Sequence, residues 1–413
     1  METKKPFNIG KSLVNEAFKR VKSNKGAAGI DEQSLEKFEE NFENNMYILW
    51  NRMASGSYFP PPVRAVEIPK RAGGKRQLGI PTVADRIAQA VVVQTIEGDI
   101  EKVFHEDSYG YRPGKQALEA IGKTRKRCWE YDWLLEYDIK GLFDNINHEK
   151  LMEAVKRHVK EKWVLLYIER WLKVPIQHKR QLEERTKGTP QGGVISPLLS
   201  NLFMHYAVDE WMKRNHTNIA WARYADDGII HCRTRKEAED ILEVLKIRLK
   251  ECDLEIHPDK TKIIYCGKEL LNEKRSFKFL GYTFQARRAA SKKTGQVFTS
   301  FLPAISKEKA KEIRAEIRRD NIRARSDLSL KQIADWYNPK IRGWYNYFGK
   351  YYPSKMVQIW KYFNKVLALW ARSKYKKIRS SKMKAMYLIK RVQEQQGSLF
   401  FHWKLKQGRN AYV

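Results

Sequence analysis

The sequence predicts an α+β fold whose last quarter is almost wholly helical. Three observations carry this expectation. Short apolar runs end in acids, as in Leu134–Asp138. Longer stretches repeat apolar residues at helical spacing, as in Lys236–Cys252. From Ser306 onward the helical pattern is nearly unbroken.

In chain order, residues 1–60 read as mostly helical, with a break at Lys25-Gly26-Ala27-Ala28-Gly29. Pro60-Pro61-Pro62 is a stiff connection, because proline fixes φ and donates no hydrogen bond. Val63–Pro69 reads as a strand, and Lys70–Lys75 contains a Gly73-Gly74 turn. Thr82–Phe104 reads as a helix with Ile87, Val91 and Ile96 among its apolar positions. Leu134–Asp138 is a short apolar strand ending in an acid, and Arg223–Cys232 is a strand, a tight acidic turn and another strand. Lys236–Cys252 is a helix with Ala238, Ile241, Leu242, Leu245 and Leu249 on one face. Phe279–Phe284 reads as one short strand. In the helical last quarter, Ile359, Phe363, Val366, Leu367 and Trp370 make one amphipathic face. No internal repeat is present.

A chain of 413 residues buries a large core and has room for two or three domains. It carries 80 Lys+Arg against 48 Asp+Glu, a formal charge of +32. Self-repulsion of that size opposes the compact state, and a polyanionic partner explains it most simply. Nucleic acid fits better than membrane, since no apolar run reaches the roughly eighteen residues needed to span a bilayer. The first residues lack the apolar stretch of a secretory signal, which points to the cytoplasm. Cys128, Cys232, Cys252 and Cys266 stand far apart with no CxxC pair, so buried reduced thiols are expected and not a zinc site. The charge is uneven: residues 301–413 hold 27 Lys+Arg and 7 Asp+Glu, a net of +20.

The chemistry concentrates in two acidic elements. One is Tyr137-Asp138-Ile139-Lys140-Gly141-Leu142-Phe143-Asp144, the other Tyr224-Ala225-Asp226-Asp227. Each sets carboxylates at a strand end or hairpin tip, where the backbone can aim them at a common point. Nucleotidyl transfer needs such a point, because the attacking 3′-hydroxyl must lose a proton and the leaving pyrophosphate must be neutralised. Two Mg²⁺ ions roughly 3.5–4 Å apart do both, and hard cations take oxygen ligands. The two elements occur in the order a palm polymerase requires.

Tyr224-Ala225-Asp226-Asp227 resembles the YxDD signature of reverse transcriptases. Lys187-Gly188-Thr189-Pro190-Gln191-Gly192-Gly193-Val194-Ile195-Ser196-Pro197-Leu198-Leu199 is the most specific single match to that family, and Phe279-Leu280-Gly281 looks like a further element of it. More narrowly, the chain resembles bacterial group II intron reverse transcriptases in the form lacking the C-terminal endonuclease domain. Gly79-Ile80-Pro81-Thr82, Ser108-Tyr109-Gly110-Tyr111-Arg112-Pro113-Gly114 and His257-Pro258-Asp259-Lys260-Thr261 fit that group, as does Arg342-Gly343-Trp344-Tyr345-Asn346-Tyr347-Phe348. After Cys266 the chain has no cysteine and one histidine, His402, too few for the endonuclease metal site.

The resemblance implies an α+β right hand of fingers and palm followed by an all-α thumb/maturase domain. Its divisions are an N-terminal extension over 1–62, fingers and palm over 63–290, thumb/maturase over 300–375 and a basic tail over 376–413. It implies Asp138, Asp226 and Asp227 as metal ligands, with the Ile139 carbonyl adding one, for two Mg²⁺ ions that Mn²⁺ can replace. Lys70 and Arg76 then grip the incoming triphosphate, since cationic side chains and above all the planar Arg fork suit phosphate oxygens. Phe143 acts as a steric gate against the ribose 2′-hydroxyl, and Gln191 lines the nucleotide pocket. Lys260 is either a general acid for the pyrophosphate or a plain surface lysine. Phe279, Leu280 and Gly281 support the primer terminus. Gly26–Asp31 either helps clamp the template or simply starts a helix.

The expected partners are a group II intron RNA, an RNA template with a DNA primer, target DNA and dNTPs, with no membrane. In the basic C-terminal quarter aromatics interleave with cations, but packing explains most of the rings. The run Lys374, Lys376, Lys377 and Arg379 is better placed for phosphate, because packing needs no charge. Two rival readings stay open on sequence: an RNA-binding splicing factor with little polymerase activity, and a defence- or repair-linked reverse transcriptase of group II-like descent.

Overall fold

The computed structural model describes residues 5–69, 75–179, 181–267, 273–290 and 294–407. Their strands are β1 Val63–Pro69, β2 Lys75–Ile80, β3 Trp133–Asp138, β4 Ile176–His178, β5 Gln181–Glu183, β6 Ala220–Tyr224, β7 Asp227–Cys232, β8 Lys262–Tyr265, β9 Ser276–Phe279, β10 Tyr282–Ala290 and β11 Val297–Ile305. The chain divides into two compact units, Met1–Ala120 with Leu135–Ile263, and Ile121–Leu134 with Ile264–Val413.

In the first unit, helices Lys11–Asn24, Leu35–Glu40 and Phe42–Ser55 precede a sheet of order β2-β1-β4-β5. The expected Thr82–Phe104 helix runs from Val83 to Glu101, with the Thr82 hydroxyl capping it by accepting from the Asp85 amide. This helix is buried nearly all round, which explains why its apolar residues crowd every face. Its buried Asp85 accepts hydrogen bonds from Tyr58, Gln89 and Trp171, and desolvation pushes its carboxyl up to about 6. Arg86 reaches back to the carbonyls of Lys25 and Ala27, fixing the glycine-rich break against the helix.

The central sheet has the order β6-β7-β3-β8, so the strand ending in Asp138 neighbours the strand opening with Asp227. A close approach sets this geometry. A Cβ on Gly228 would stand 2.0 Å from the Tyr137 ring, so a side chain there would force the two strands' contact apart.

In the second unit, β11-β10-β9 form an antiparallel sheet, followed by helices Lys307–Arg319, Leu330–Phe348, Val357–Lys374, Lys382–Gln395 and Phe401–Gln407. Ser306 caps the first of these, where the helical pattern was expected to begin. Ile359, Phe363, Val366, Leu367 and Trp370 are all buried, as their spacing implies. One expectation fails: Phe279–Phe284 is not a single strand but the corner of a hairpin. Leu280 (φ 51) and Gly281 (φ 81) turn the chain so that Phe279 pairs with Tyr282. The four cysteines are free and buried.

Candidate active site

Asp138 closes β3, and its neighbours hold the following turn rigid. The His257 amide donates to the Asp138 carbonyl (2.8 Å) and the Lys140 amide to the Glu255 carbonyl (2.8 Å), leaving Ile139 paired opposite Ile256 between them. Gly141 (φ 58) then turns the chain into the short helix Leu142–Asn145, and Asn145 donates back to the carbonyls of Lys140 and Gly141. That turn places Phe143 five residues beyond Asp138 with only 7% of its surface exposed.

The second acidic element is a hairpin in which Tyr224 pairs with Asp227, leaving Ala225 and Asp226 as the tip. Ala225 is left-handed (φ 57), a conformation that side chains other than glycine adopt only when the surroundings hold it. Arg223 supplies that hold. It is fully buried, and all five of its N–H groups have acceptors. Nε and one terminal nitrogen grip both oxygens of Asp209 (2.8 and 2.6 Å), and the same nitrogen also donates to Ser108 Oγ (2.8 Å). The other terminal nitrogen reaches Asn201 Oδ1 (3.2 Å) and the Ala225 carbonyl (3.0 Å) at the tip. Asp209 ends a π-helical turn, His205–Asp209, and Arg248 donates to the Tyr206 and Ala207 carbonyls within it.

Asp138 ends β3 and Asp227 opens the neighbouring β7, and Lys260 Nζ donates to Asp138 Oδ2 at 2.8 Å. Burial, then the charges of Asp226 and Asp138, push the Asp227 carboxyl up to about 7, with Lys260 opposing. Among the described residues no three His, Cys, Asp or Glu side chains stand close enough to enclose a metal ion as placed. The donor set nevertheless suits a hard divalent cation: carboxylate oxygens only, gathered at mutual electrostatic cost that a cation offsets.

The segment around Gln191 docks on the same turn. The Thr189 amide donates to the Phe143 carbonyl (2.6 Å), the Gly188 amide to that of Ile146 (2.7 Å), and the Gly79 amide to that of Gln191 (2.8 Å). Gln191 Nε2 donates to both oxygens of Asp144 at 3.0 Å. Thus Asp138, Ile139, Phe143, Gln191, Asp226, Asp227 and Lys260 all belong to the first unit. Lys70 lies outside the described residues, and Arg76 is placed only by its backbone in β2.

The remaining expected residues belong to the second unit. At the Leu280–Gly281 turn, Tyr347 Oη donates to the Leu280 carbonyl (3.0 Å) and the Ser306 amide to the Gly281 carbonyl (3.0 Å). Lys376, Lys377 and Arg379 are exposed around a short 3₁₀ turn. Lys374 is not solely a surface charge. Its ammonium donates to the Ser326 and Leu328 carbonyls (both 2.9 Å), so it secures a loop. Sequence reasoning missed Arg223 and Asp209. An arginine inside an otherwise apolar strand was the available signal.

Residues 68–284 match the family model for reverse transcriptase (RNA-dependent DNA polymerase), and residues 310–388 match that for the maturase-specific domain of group II introns. The chain belongs to the group II intron reverse transcriptases. It is an RNA-directed DNA polymerase with a splicing maturase function and binds RNA. Protein YkfC of Escherichia coli is 31% identical over 349 residues, spanning 73% of this chain and 86% of that protein. The group II intron-encoded protein LtrA of Lactococcus lactis is 26% identical over 419 residues, spanning 81% of this chain and 68% of LtrA. A telomerase structure from Candida albicans, solved with a telomeric RNA fragment, aligns over 86% of this chain and 67% of that one, with a TM-score of 0.47 and 12% identity. Reverse transcriptases of this family use a divalent metal. Among the described residues no helix is long and apolar enough to cross a membrane.

Replacing Asp209 by Asn strands the Arg223 charge in the core and is expected to cost about 3–5 kcal/mol of stability, read from urea unfolding. The double replacement Arg223→Met, Asp209→Leu removes both charges and should recover most of that loss. Primer extension should stay impaired in the double variant, because the Ala225 carbonyl has lost its donor. Full DNA synthesis by the double variant would show that the hairpin tip holds itself.

Proposed function

We propose that this reverse transcriptase copies an RNA template from a DNA primer with dNTPs as substrates, and that Asp138, Asp226 and Asp227 hold two Mg²⁺ ions. The Ile139 carbonyl adds a further oxygen, and Mn²⁺ can stand in for Mg²⁺. The observation that carries this reading is the placement of Asp138 at the end of β3 and Asp227 at the start of the neighbouring β7, beside the hairpin tip bearing Asp226. Held by these carboxylates, the ions would supply acidification of the primer 3′-hydroxyl and neutralisation of the leaving pyrophosphate.

The protein's own groups supply position and selection. Lys260, already paired with Asp138, is a proton donor for the departing pyrophosphate. Lys70 and Arg76 grip the triphosphate. Phe143 fills the space a 2′-hydroxyl needs, and Gln191, oriented by Asp144, lines the nucleotide pocket. Phe279, Leu280 and Gly281 support the primer terminus from a turn that Tyr347 and Ser306 fix.

The biological setting we propose is target-primed reverse transcription in retrohoming, with the group II intron RNA as principal partner and target DNA as the second. The exposed Lys376, Lys377 and Arg379 track phosphates in this reading, within a quarter of the chain that carries a net +20. The domain plan is an N-terminal extension over 1–62, fingers and palm over 63–290, thumb/maturase over 300–375 and a basic tail from 376.

Asp226→Asn should abolish primer extension while leaving intron-RNA affinity within a few-fold, because affinity rests on the basic surface. Extension assays and filter binding measure the two, and normal extension would remove Asp226 from the metal site. Neutralising Lys376, Lys377 and Arg379 together should reduce the slope of log K against log salt by about 2, from roughly 0.7 per single-strand phosphate contact. Lys374 is spared because of its loop contacts. An unchanged slope, with circular dichroism confirming the fold, would mean that these charges only face solvent.

A further inference from the structure

The loop after helix Val83–Glu101 is bolted down at both sides of Tyr111. On one side, the Tyr109 amide donates to the Arg223 carbonyl (2.8 Å), and Asn201 Nδ2 donates to the Gly110 carbonyl. Gly110 lies so close to the hairpin tip that a Cβ on it would stand 2.5 Å from the Ala225 nitrogen. On the other side, Arg112 is almost wholly buried. Its Nε donates to both oxygens of Glu101 (2.9 and 3.1 Å), and one terminal nitrogen donates to the His105 and Ser108 carbonyls (both 2.6 Å).

Between these anchors Tyr111 is left-handed (φ 56). A bulky residue with that backbone is strained, and glycine would relieve the strain. Burial does not compensate Tyr111, which is 53% exposed. Its ring instead meets Phe143 edge to face, with centroids 6.3 Å apart and planes at 81°. A strained, exposed aromatic held at both flanks, with its ring against Phe143, marks a functional position.

We infer that Tyr111 is a positioning residue for sugar selection, holding the Phe143 ring where a ribose 2′-hydroxyl would have to pass. The inference rests on the reading of Phe143 as the steric gate. A gate discriminates only if it cannot yield, and an aromatic ring yields by rotating about its side-chain bonds. The Tyr111 ring, standing near-perpendicular to that of Phe143, opposes that rotation from one side, while the Thr189 amide and the Gly141 turn fix the Phe143 backbone.

The test measures the ratio of kcat/KM for a dNTP to that for the matching rNTP in the full-length protein. Tyr111→Gly removes the ring and relaxes the backbone, so its melting temperature should not fall. Its ratio should drop by about two- to tenfold, the range an edge-to-face aromatic contact is worth. Tyr111→Phe keeps the ring and should keep the ratio. In a Phe143→Ala background, Tyr111→Gly should change nothing further, because Tyr111 acts through Phe143. If Phe143→Ala lowers the ratio and Tyr111→Gly does not, this inference falls and the gate reading stands. If the two effects multiply, Tyr111 meets the nucleotide itself and the route through Phe143 is wrong. If Phe143→Ala leaves the ratio unchanged, the gate reading falls and takes this inference with it.

Discussion

The site depends on one buried charge. Arg223 lies in the strand that leads into the acidic hairpin, and its guanidinium has no solvent to satisfy it. Burying an unpaired cation is prohibitive, so the fold must bring acceptors to it. Asp209 supplies charge and two oxygens, while Ser108, Asn201 and Ala225 take the remaining donors. Each of these acceptors belongs to a different element of the first unit. Meeting the needs of one side chain therefore fixes the β6–β7 hairpin, the loop before Tyr111, the helix Ser196–Met204 and the π turn after it. Such a pair adds little net stability over apolar residues of the same volume, and its use here is geometric.

Backbone contacts extend that precision to Phe143 and Gln191. The amides of Thr189 and Gly188 bond to the turn carrying Phe143, and β2 bonds to Gln191 through Gly79. Phe143, Gln191 and β2 are thus joined by main-chain hydrogen bonds, which side-chain rotamer changes do not loosen. The segment Ile256–Thr261 is tied to Asp138 by the His257 amide and by the Lys260 salt bridge.

The places of the three aspartates in the fold were legible because the signal is local: an acid ending an apolar strand, and a pair of acids at a hairpin. Two helix starts were legible for the same reason, since Thr82 and Ser306 each cap the helix that follows. Arg223 with Asp209 was not legible, because the pairing is created by sheet and helix packing and the π turn alters the helical register. The corner at Leu280–Gly281 was misread because Leu-Gly lacks the Asn-Gly or Asp-Gly chemistry that announces a tight hairpin, and apolar residues continue across it. Lys374 was read from its charge alone, whereas loop carbonyls set its place.

The central claim is that Asp138, Asp226 and Asp227 converge on divalent metal. Iron-directed cleavage tests it most directly: Fe²⁺ is bound in place of Mg²⁺ on a primer–template complex, ascorbate and peroxide are added, and the cut positions are mapped by mass spectrometry. The account predicts backbone cuts clustered near Asp138 and at Ala225–Asp227, suppressed by added Mg²⁺. Cuts confined to other segments, or cuts at these positions that Mg²⁺ does not suppress, would contradict it.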